Sequence, residues 1–378
     1  MQPLIVVSAE RFFRGGTVKA VRLCLQELAV AAAGSCRIRA LVYRQDDYPA
    51  LPGVEYLSFP RARTGWWRRL YYEYWLFPRL ARRWKPVLWL SLQDSTPPVC
   101  SRFRAVYFHH PLVFARLPWR MWLKQPGLLM LKWLYQLVYL RNIRFNDWVF
   151  VQQHQLREQL LRRYALNPHR VWVIPLVKPL FTETDKKETH PQPAVFRFFF
   201  PAYPYVYKNH LVLLAAASRL VQQGIRNFEI VCTYDENQNA YIRKLRQGFP
   251  ADLPIRFTGY LQTHALEAWY HRADALVFPS LCETWGLPLS EAAALGLPIL
   301  AADLPYARET LSDYRKVCWL PPLDVEAWAK AMESMIRGNF SFAERTEKLK
   351  QPSAFELSWA QWLQLWLHQL QSEVKHAE

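Results

Sequence analysis

Acidic residues are scarce in the first half of this chain. Residues 1–180 hold 28 lysines and arginines against 9 aspartates and glutamates, a net of +19 (28 − 9). Residues 181–378 hold 20 against 22, a net of −2, so the first half accounts for the whole excess of +17. A field this one-sided implies an acidic partner for that half, such as anionic lipid, nucleic acid or a phosphorylated substrate. Long apolar runs are also lacking. The longest, Gly127 to Leu140, contains Lys132 and falls short of the ~20 residues a membrane span needs. Met1–Ala9 is too short in its apolar part for a secretory signal, and Glu10 interrupts it. The expectation is a cytoplasmic protein, peripheral on the inner face of the membrane. Six scattered cysteines form no metal or redox spacing, which fits a reducing compartment. No Asp-x-Asp pair occurs, so no acidic metal–diphosphate site is indicated and no metal or other cofactor is expected. Apolar residues are plentiful, half of the total, with 17 tryptophans; at 378 residues they suffice for two cores and two domains.

The chain is organised around Ala275–Glu309. Ala275-Leu276-Val277-Phe278, bounded by Pro279, reads as a buried parallel strand. A loop with Glu283, Thr284, Trp285 and Gly286 follows. Pro288 then suits the first position of a helix that Gly296 caps and Pro298 forbids to continue. Ile299–Ala302 reads as the next strand. This is the unit of a doubly wound α/β domain, whose ligands sit at the C-terminal ends of the strands. Glu283 on the loop and Glu291 in the first helical turn can face one crevice beside the unpaired N–H groups of the helix start. Such an end attracts phosphate, and carboxylates accept from sugar hydroxyls. Taken singly, Glu283 also reads as a solvated loop acid and Glu291 as a complement to the helix dipole.

The run from Phe278 to Ala292, with Glu283 and Glu291 eight positions apart, resembles the signature of glycosyltransferase family 4. The likeness continues through Gly296-Leu297-Pro298 to Asp303-Leu304-Pro305-Tyr306. Trp285 stands where the family more often has Phe. The resemblance implies a retaining, nucleotide-sugar-dependent enzyme of GT-B fold, an α/β architecture of two doubly wound Rossmann-like domains facing a central cleft. It implies that Glu283 contacts donor-sugar hydroxyls, that the backbone of Thr284, Trp285, Gly286 and Leu287 holds sugar and diphosphate, and that Glu291 binds the ribose hydroxyls.

From the start, Leu4–Val7 reads as a strand. Gly15-Gly16 then precedes a helix through Val18, Val21, Leu25, Leu28 and Ala29. A glycine pair there lets backbone approach a ligand and resembles the GT-B glycine loop, though it equally reads as a turn. Arg61–Lys85 mixes eight basic residues with one acid, Glu73, and with Trp66, Trp67, Tyr71, Tyr72, Tyr74, Trp75, Phe77 and Trp84. The mixture suits a lipid headgroup interface or a helix packed by its aromatic face, interrupted at Pro78; nucleic acid is not the expected partner. Trp119–Phe145 has the same character. Ala105–Phe108 reads as a strand ending at His109-His110, and by the resemblance His109 points at the donor sugar. Trp148–Val151 is a further strand, Gln155–Tyr164 a helix and Lys178–Pro193 the candidate linker.

The second domain opens with the strand Arg197–Phe200. Lys208, before the helix Leu211–Gln222, resembles the family's diphosphate lysine; Ala202 stands where many members carry Arg. Phe228–Cys232 reads as a strand, as does Ile255–Leu261, where Tyr260 and Leu261 would hold the nucleobase through main-chain atoms. Leu266–Ala273 reads as a helix, as does Asp324–Arg337. The last helix, Ser353–Gln371, carries Trp359, Trp362 and Trp366 on one face. In GT-B enzymes it crosses back to the first domain. The expected division is 1–177, a basic acceptor domain; 194–352, a donor domain; and 353–378, the returning helix. The expected partners are a UDP- or GDP-sugar donor, a saccharide or lipid-linked acceptor, and an anionic membrane surface against the basic domain. Two rivals stay open: a nucleotide-sugar epimerase of the same architecture, and a non-catalytic polyanion- or membrane-binding protein on this scaffold.

Overall fold

A computed structural model describes residues 2–13, 15–63, 65–176, 195–342 and 355–375. The candidate linker Lys178–Pro193 lies outside them. The chain divides into two compact units. The first comprises Met1–Val113, Trp133–Lys178 and Pro352–Glu378; the second comprises Phe114–Lys132 and Pro179–Gln351. Phe114–Lys132, expected with the first domain, thus packs with the second.

In chain order come β1 (Leu4–Ser8), α1 (Gly15–Ala32), β2 (Arg37–Val42), β3 (Val54–Ser58), α2 (Trp66–Tyr71), α3 (Phe77–Trp84), β4 (Leu88–Ser91) and β5 (Phe103–Phe108). There follow α4 (Trp119–Lys124), α5 (Pro126–Leu134), α6 (Leu140–Ile143), β6 (Trp148–Val151), α7 (His154–Tyr164) and β7 (Val171–Val173). These strands form a seven-stranded sheet of order β3-β2-β1-β4-β5-β6-β7, with every pairing parallel. Parallel strands buried on both faces must be apolar throughout, and β1 is buried at every position. α1 buries Val18, Val21, Leu25 and Leu28 against this sheet, and Ala29 is buried as well.

The remaining elements are β8 (Phe196–Phe200), α8 (His210–Gln222), β9 (Phe228–Cys232), α9 (Ala240–Gln247), β10 (Ile255–Phe257), α10 (Thr263–Arg272), β11 (Ala275–Phe278), α11 (Leu287–Ala294), β12 (Ile299–Ala302), α12 (Pro305–Thr310), β13 (Val317–Leu320), α13 (Val325–Ile336) and α14 (Trp359–Lys375). Strands β8 to β13 form a six-stranded parallel sheet of order β10-β9-β8-β11-β12-β13. α14 belongs to the first unit. It buries Trp359, Trp362 and Trp366 in the core that also holds α1, and Glu27 of α1 accepts the Trp359 backbone N–H at 3.0 Å.

Several elements differ from the sequence reading. β10 stops at Phe257, because Gly259 turns the chain at φ +71°. α14 begins at Trp359 rather than Ser353. Between α2 and α3 the helix widens into a π turn over Tyr72–Leu76. Pro78 is the cause: it has no N–H for the preceding turn, and a π turn is a common way to absorb such a defect.

Candidate functional site

The second sheet reverses its winding between β8 and β11, and ligands of doubly wound sheets bind at such a reversal, beyond the C-terminal ends of the strands. The chain places its polar side chains there. After β8 the segment runs to Lys208; after β11 it runs through Ser280 to Glu283. Lys208 Nζ donates to Glu283 Oε1, which also accepts the Ser280 hydroxyl at 2.6 Å. Both side chains are largely enclosed, 14 % and 12 % exposed, so the pair is shielded from bulk water. Tyr306 Oη fixes the loop by donating to the Ser280 carbonyl at 2.6 Å.

Beyond Glu283 the chain turns into α11. Gly286 sits at φ +81°, in the left-handed region. Thr310 Oγ1 donates to the Trp285 carbonyl, and Trp285 Nε1 donates to Ser290 Oγ at 3.3 Å. The backbone N–H groups of Thr284, Trp285, Gly286 and Leu287 have no acceptor among the described residues. They form a short row of donors at the start of a helix, where its dipole favours an anion. Glu291 lies a full turn into α11 rather than in its first turn, because the helix begins at Leu287. It is buried, and it accepts the Tyr270 hydroxyl at 2.7 Å. Burial, and then the Glu291 carboxylate, push that hydroxyl well above the usual tyrosine range.

Tyr260 and Leu261 follow β10, two strands from β8 in the sheet order. With strands about 4.8 Å apart, that is roughly 10 Å along the row of C-terminal strand ends. Tyr260 is exposed. Ala202 is buried, so no cation reaches the Lys208 region from that position.

In the first unit the winding reverses between β1 and β4. Here too the strand ends are polar. Gln93 Nε2 donates to Glu10 Oε2 at 2.7 Å and lies 3.4 Å from Ser8 Oγ. Asp94, at φ +63°, accepts the backbone N–H of both His109 and His110. Burial raises the Glu10 carboxyl to about 7 and that of Asp94 to about 6. His109 ends β5 as expected but is enclosed rather than open, with Phe12 edge-on at 5.3 Å. Gln152 Nε2 meets its Nδ1 at 2.9 Å, which puts the ring proton on Nε2. Burial first, then His110, lowers its pKa to about 3, so the ring is neutral. Its Nε2 and the Oε1 atoms of Gln93 and Gln152 are buried without a partner among the described residues. Gly15 and Gly16 open α1, and Gly15 takes φ +66° with open space where a Cβ would stand.

The structure therefore gathers Lys208, Glu283, Thr284, Trp285, Gly286 and Leu287 at one reversal point, with Glu291 in the helix behind. Glu10, Gln93, Asp94, Gln152, Ser280 and Tyr270 were missed by sequence reading. Glu10 and Ser280 each sit two residues past a recognisable strand, a signal that could have marked them. Gln93 and Asp94 could be found only once β4 was known.

Comparison with known proteins bears on this arrangement. Residues 197–338 match the family model described as Glycosyl transferases group 1. A glycogen synthase of Mycobacterium tuberculosis is 32% identical over 104 residues, 28% of this chain and 25% of that protein. The O-antigen chain mannosyltransferase RfbU of Salmonella typhimurium is 23% identical over 193 residues, 50% of each chain. This chain thus spans between a quarter and a half of the length of these curated relatives. Among solved structures, the sucrose-phosphate synthase of Thermosynechococcus elongatus superposes with a TM-score of 0.65 at 16% identity, covering 100% of both chains. The fold is GT-B, and the matched segment covers every strand of the second sheet.

Proposed function

We propose that this protein is a retaining glycosyltransferase of family 4 that moves a hexose from a UDP- or GDP-sugar to an acceptor hydroxyl. The acceptor in this reading is a saccharide or a lipid-linked intermediate of a surface polysaccharide such as O-antigen or capsule. The observation that carries it is the row of unpartnered N–H groups from Thr284 to Leu287, next to the shielded Lys208–Glu283 pair. The row offers donors without a competing acceptor, and the lysine beside it is held by Glu283 until a diphosphate competes for it. The match of residues 197–338 to group 1 glycosyl transferases supports the same reading.

The reaction breaks the bond between the anomeric carbon and the diphosphate oxygen and forms one to the acceptor oxygen on the same face. The acceptor proton goes to the departing phosphate oxygen, so no protein base is required. The amides and Lys208 stabilise the diphosphate as charge develops on it. The diphosphate draws Lys208 from Glu283, and the released carboxylate accepts from hydroxyls of the transferred sugar. Glu291, braced by Tyr270, takes the ribose hydroxyls, and main chain at Tyr260 and Leu261 holds the base. Within the first unit, Gly15 leaves open space at the start of α1, and the neutral His109 ring keeps Nε2 for a ligand hydroxyl. Lys208 and the amides supply the positive charge in place of a metal.

Calorimetric titration with UDP, GDP, ADP and CMP, with and without EDTA, tests the donor site. One nucleoside diphosphate is expected to bind, unaffected by EDTA, with its affinity falling at least about tenfold in Lys208→Ala, since one charge-assisted hydrogen bond is worth roughly 1.5–3 kcal/mol. Absence of any nucleotide binding overturns the reading. Incubating the nucleotide sugar without acceptor separates a transferase, which leaves the sugar unchanged, from an epimerase, which converts it.

A further inference from the structure

We infer that the first unit docks on an anionic lipid bilayer through the face of α2, the π turn and α3. Five large apolar side chains of this one element stand in solvent: Trp67 at 86%, Leu70, Tyr71, Tyr74 and Trp75. Exposed apolar groups gathered on one element mark a contact surface. Tyr71 and Trp75 stack at 4.8 Å, and the Arg79 guanidinium lies over the Trp75 ring at 3.3 Å. Arg61, Arg68, Arg79, Arg82, Arg83 and Lys85 are exposed alongside them.

The geometry of the element sorts these groups. Trp67, Tyr71, Trp75, Arg79 and Arg83 recur every fourth residue and are exposed; Arg69, Glu73, Phe77 and Ala81 recur the same way and are buried. In a plain α-helix an every-fourth series drifts by about 40° per step, or roughly 160° from Trp67 to Arg83. That would carry Arg83 nearly to the opposite face. The π turn at Tyr72–Leu76 takes in one extra residue, about 100° of rotation. Most of the drift is cancelled, and the aromatics and cations stay on one side. Glu73, the one acid of the element, is turned inward and bonded to Arg69 Nε at 2.8 Å. The outer face thus carries cations and aromatic rings with no exposed carboxylate. Phe77, Ala81 and Trp89 anchor the inner face in a core cluster.

Charge complementarity commits this face to an anionic bilayer. Tryptophan and tyrosine place an apolar ring with a polar edge at the headgroup level, and arginines meet lipid phosphates. No described helix is long and apolar enough to cross a membrane, so contact is at the surface. The proposal does not depend on the donor chemistry.

Flotation with phosphatidylcholine vesicles, with and without phosphatidylglycerol, tests it. The protein is expected to float with the anionic vesicles alone and to be released by salt. Arg82→Ala/Arg83→Ala is expected to lower partition about 30-fold, at roughly 1 kcal/mol per cation. Trp67→Ala/Trp75→Ala should lower it at least tenfold at unchanged charge. Both variants alter exposed side chains only, and their circular dichroism and nucleotide binding should be those of the parent. No binding to anionic vesicles, equal binding by parent and both variants, or binding of a single-stranded oligonucleotide without vesicles overturns the proposal. Nucleotide titration on the same samples reads the donor site separately, so either claim can fail alone.

Discussion

At Gly286 a Cβ would meet Leu289 Cδ1 at 3.2 Å and Phe278 Cε1 at 3.4 Å, and the backbone there has φ +81°. An L-residue in this region costs about 1–2 kcal/mol before any clash is counted. The strain would be relieved by rotating the turn, and that rotation would re-aim the N–H groups of Thr284 to Leu287. Gly286→Ala is therefore expected to lower nucleoside diphosphate affinity more than about tenfold, a little over 1.4 kcal/mol, by titration calorimetry. Gly296→Ala is the control. Its φ is +67°, but its Cβ would meet only Lys316 Nζ, at 3.9 Å. That variant should lose stability and keep its affinity; equal affinity losses in both would mean that the turn does not aim the donors. Residues of the local motif, from Glu283 to Leu287, were legible in the sequence because strand, loop and helix fix them within a few positions of one another. The partner of Glu291 was not, since Tyr270 is 21 residues away and only the folded sheet brings it near.

Among the elements, most of the strands that sequence reading recovered lie inside a sheet and are rich in apolar residues; β10, at the edge of the second sheet and carrying Arg256, is an exception. β2 and β3 lie at one edge of the first sheet, mix Arg37, Arg39 and Glu55 with apolar residues, and match neither a run nor a helical period. β4 and β13 are four residues each and were not read, although β6, β11 and β12 of the same length were. α14 was legible because its tryptophans recur at helical spacing, and the structure shows what they pack against. Trp362 is 3% exposed, with its ring 4.8 Å from Phe150 and 5.7 Å from Trp148. Trp362→Ala is expected to cost about 3–5 kcal/mol, read by urea denaturation. Nucleotide affinity of the folded protein should stay at the parent value, because the residues assigned to the diphosphate, the ribose and the base lie in the other unit. A loss of less than about 0.5 kcal/mol, the range of ordinary surface changes, would mean that α14 is peripheral to the core.

For the whole molecule, buried ionisable groups of two kinds set the dependence of stability on pH. Burial lowers His109 and His210 to about 3 and His110 to about 4, from 6.5. Below pH 6.5 the unfolded chain takes up protons that the folded histidines refuse, so their contribution is present above 6.5 and is lost as pH falls. Glu10 and Asp94 act in the opposite sense. Burial raises Glu10 from 4.5 to about 7 and Asp94 from 3.8 to about 6, so the folded state keeps protons that the unfolded chain has released. Their contribution is present at low pH and is lost as pH rises through these values. Three histidines outweigh two carboxyls through the acid range, and the two terms come into balance only near pH 7, where each unfolded histidine still holds about a quarter of a proton. Stability should therefore rise from pH 4 and level off at about pH 7 to 7.5. Glu10→Gln isolates one term, since the amide oxygen can still accept from Gln93. At pH 8 the parent holds a buried carboxylate that the variant lacks. The variant should then be more stable by up to about 3 kcal/mol, since burial holds the Glu10 carboxyl at about 7 in the fold. At pH 4.5 the two should be nearly equal. Denaturant titrations at the two pH values decide it: a difference independent of pH would mean that Glu10 is not protonated in the fold and carries a charge beside Gln93.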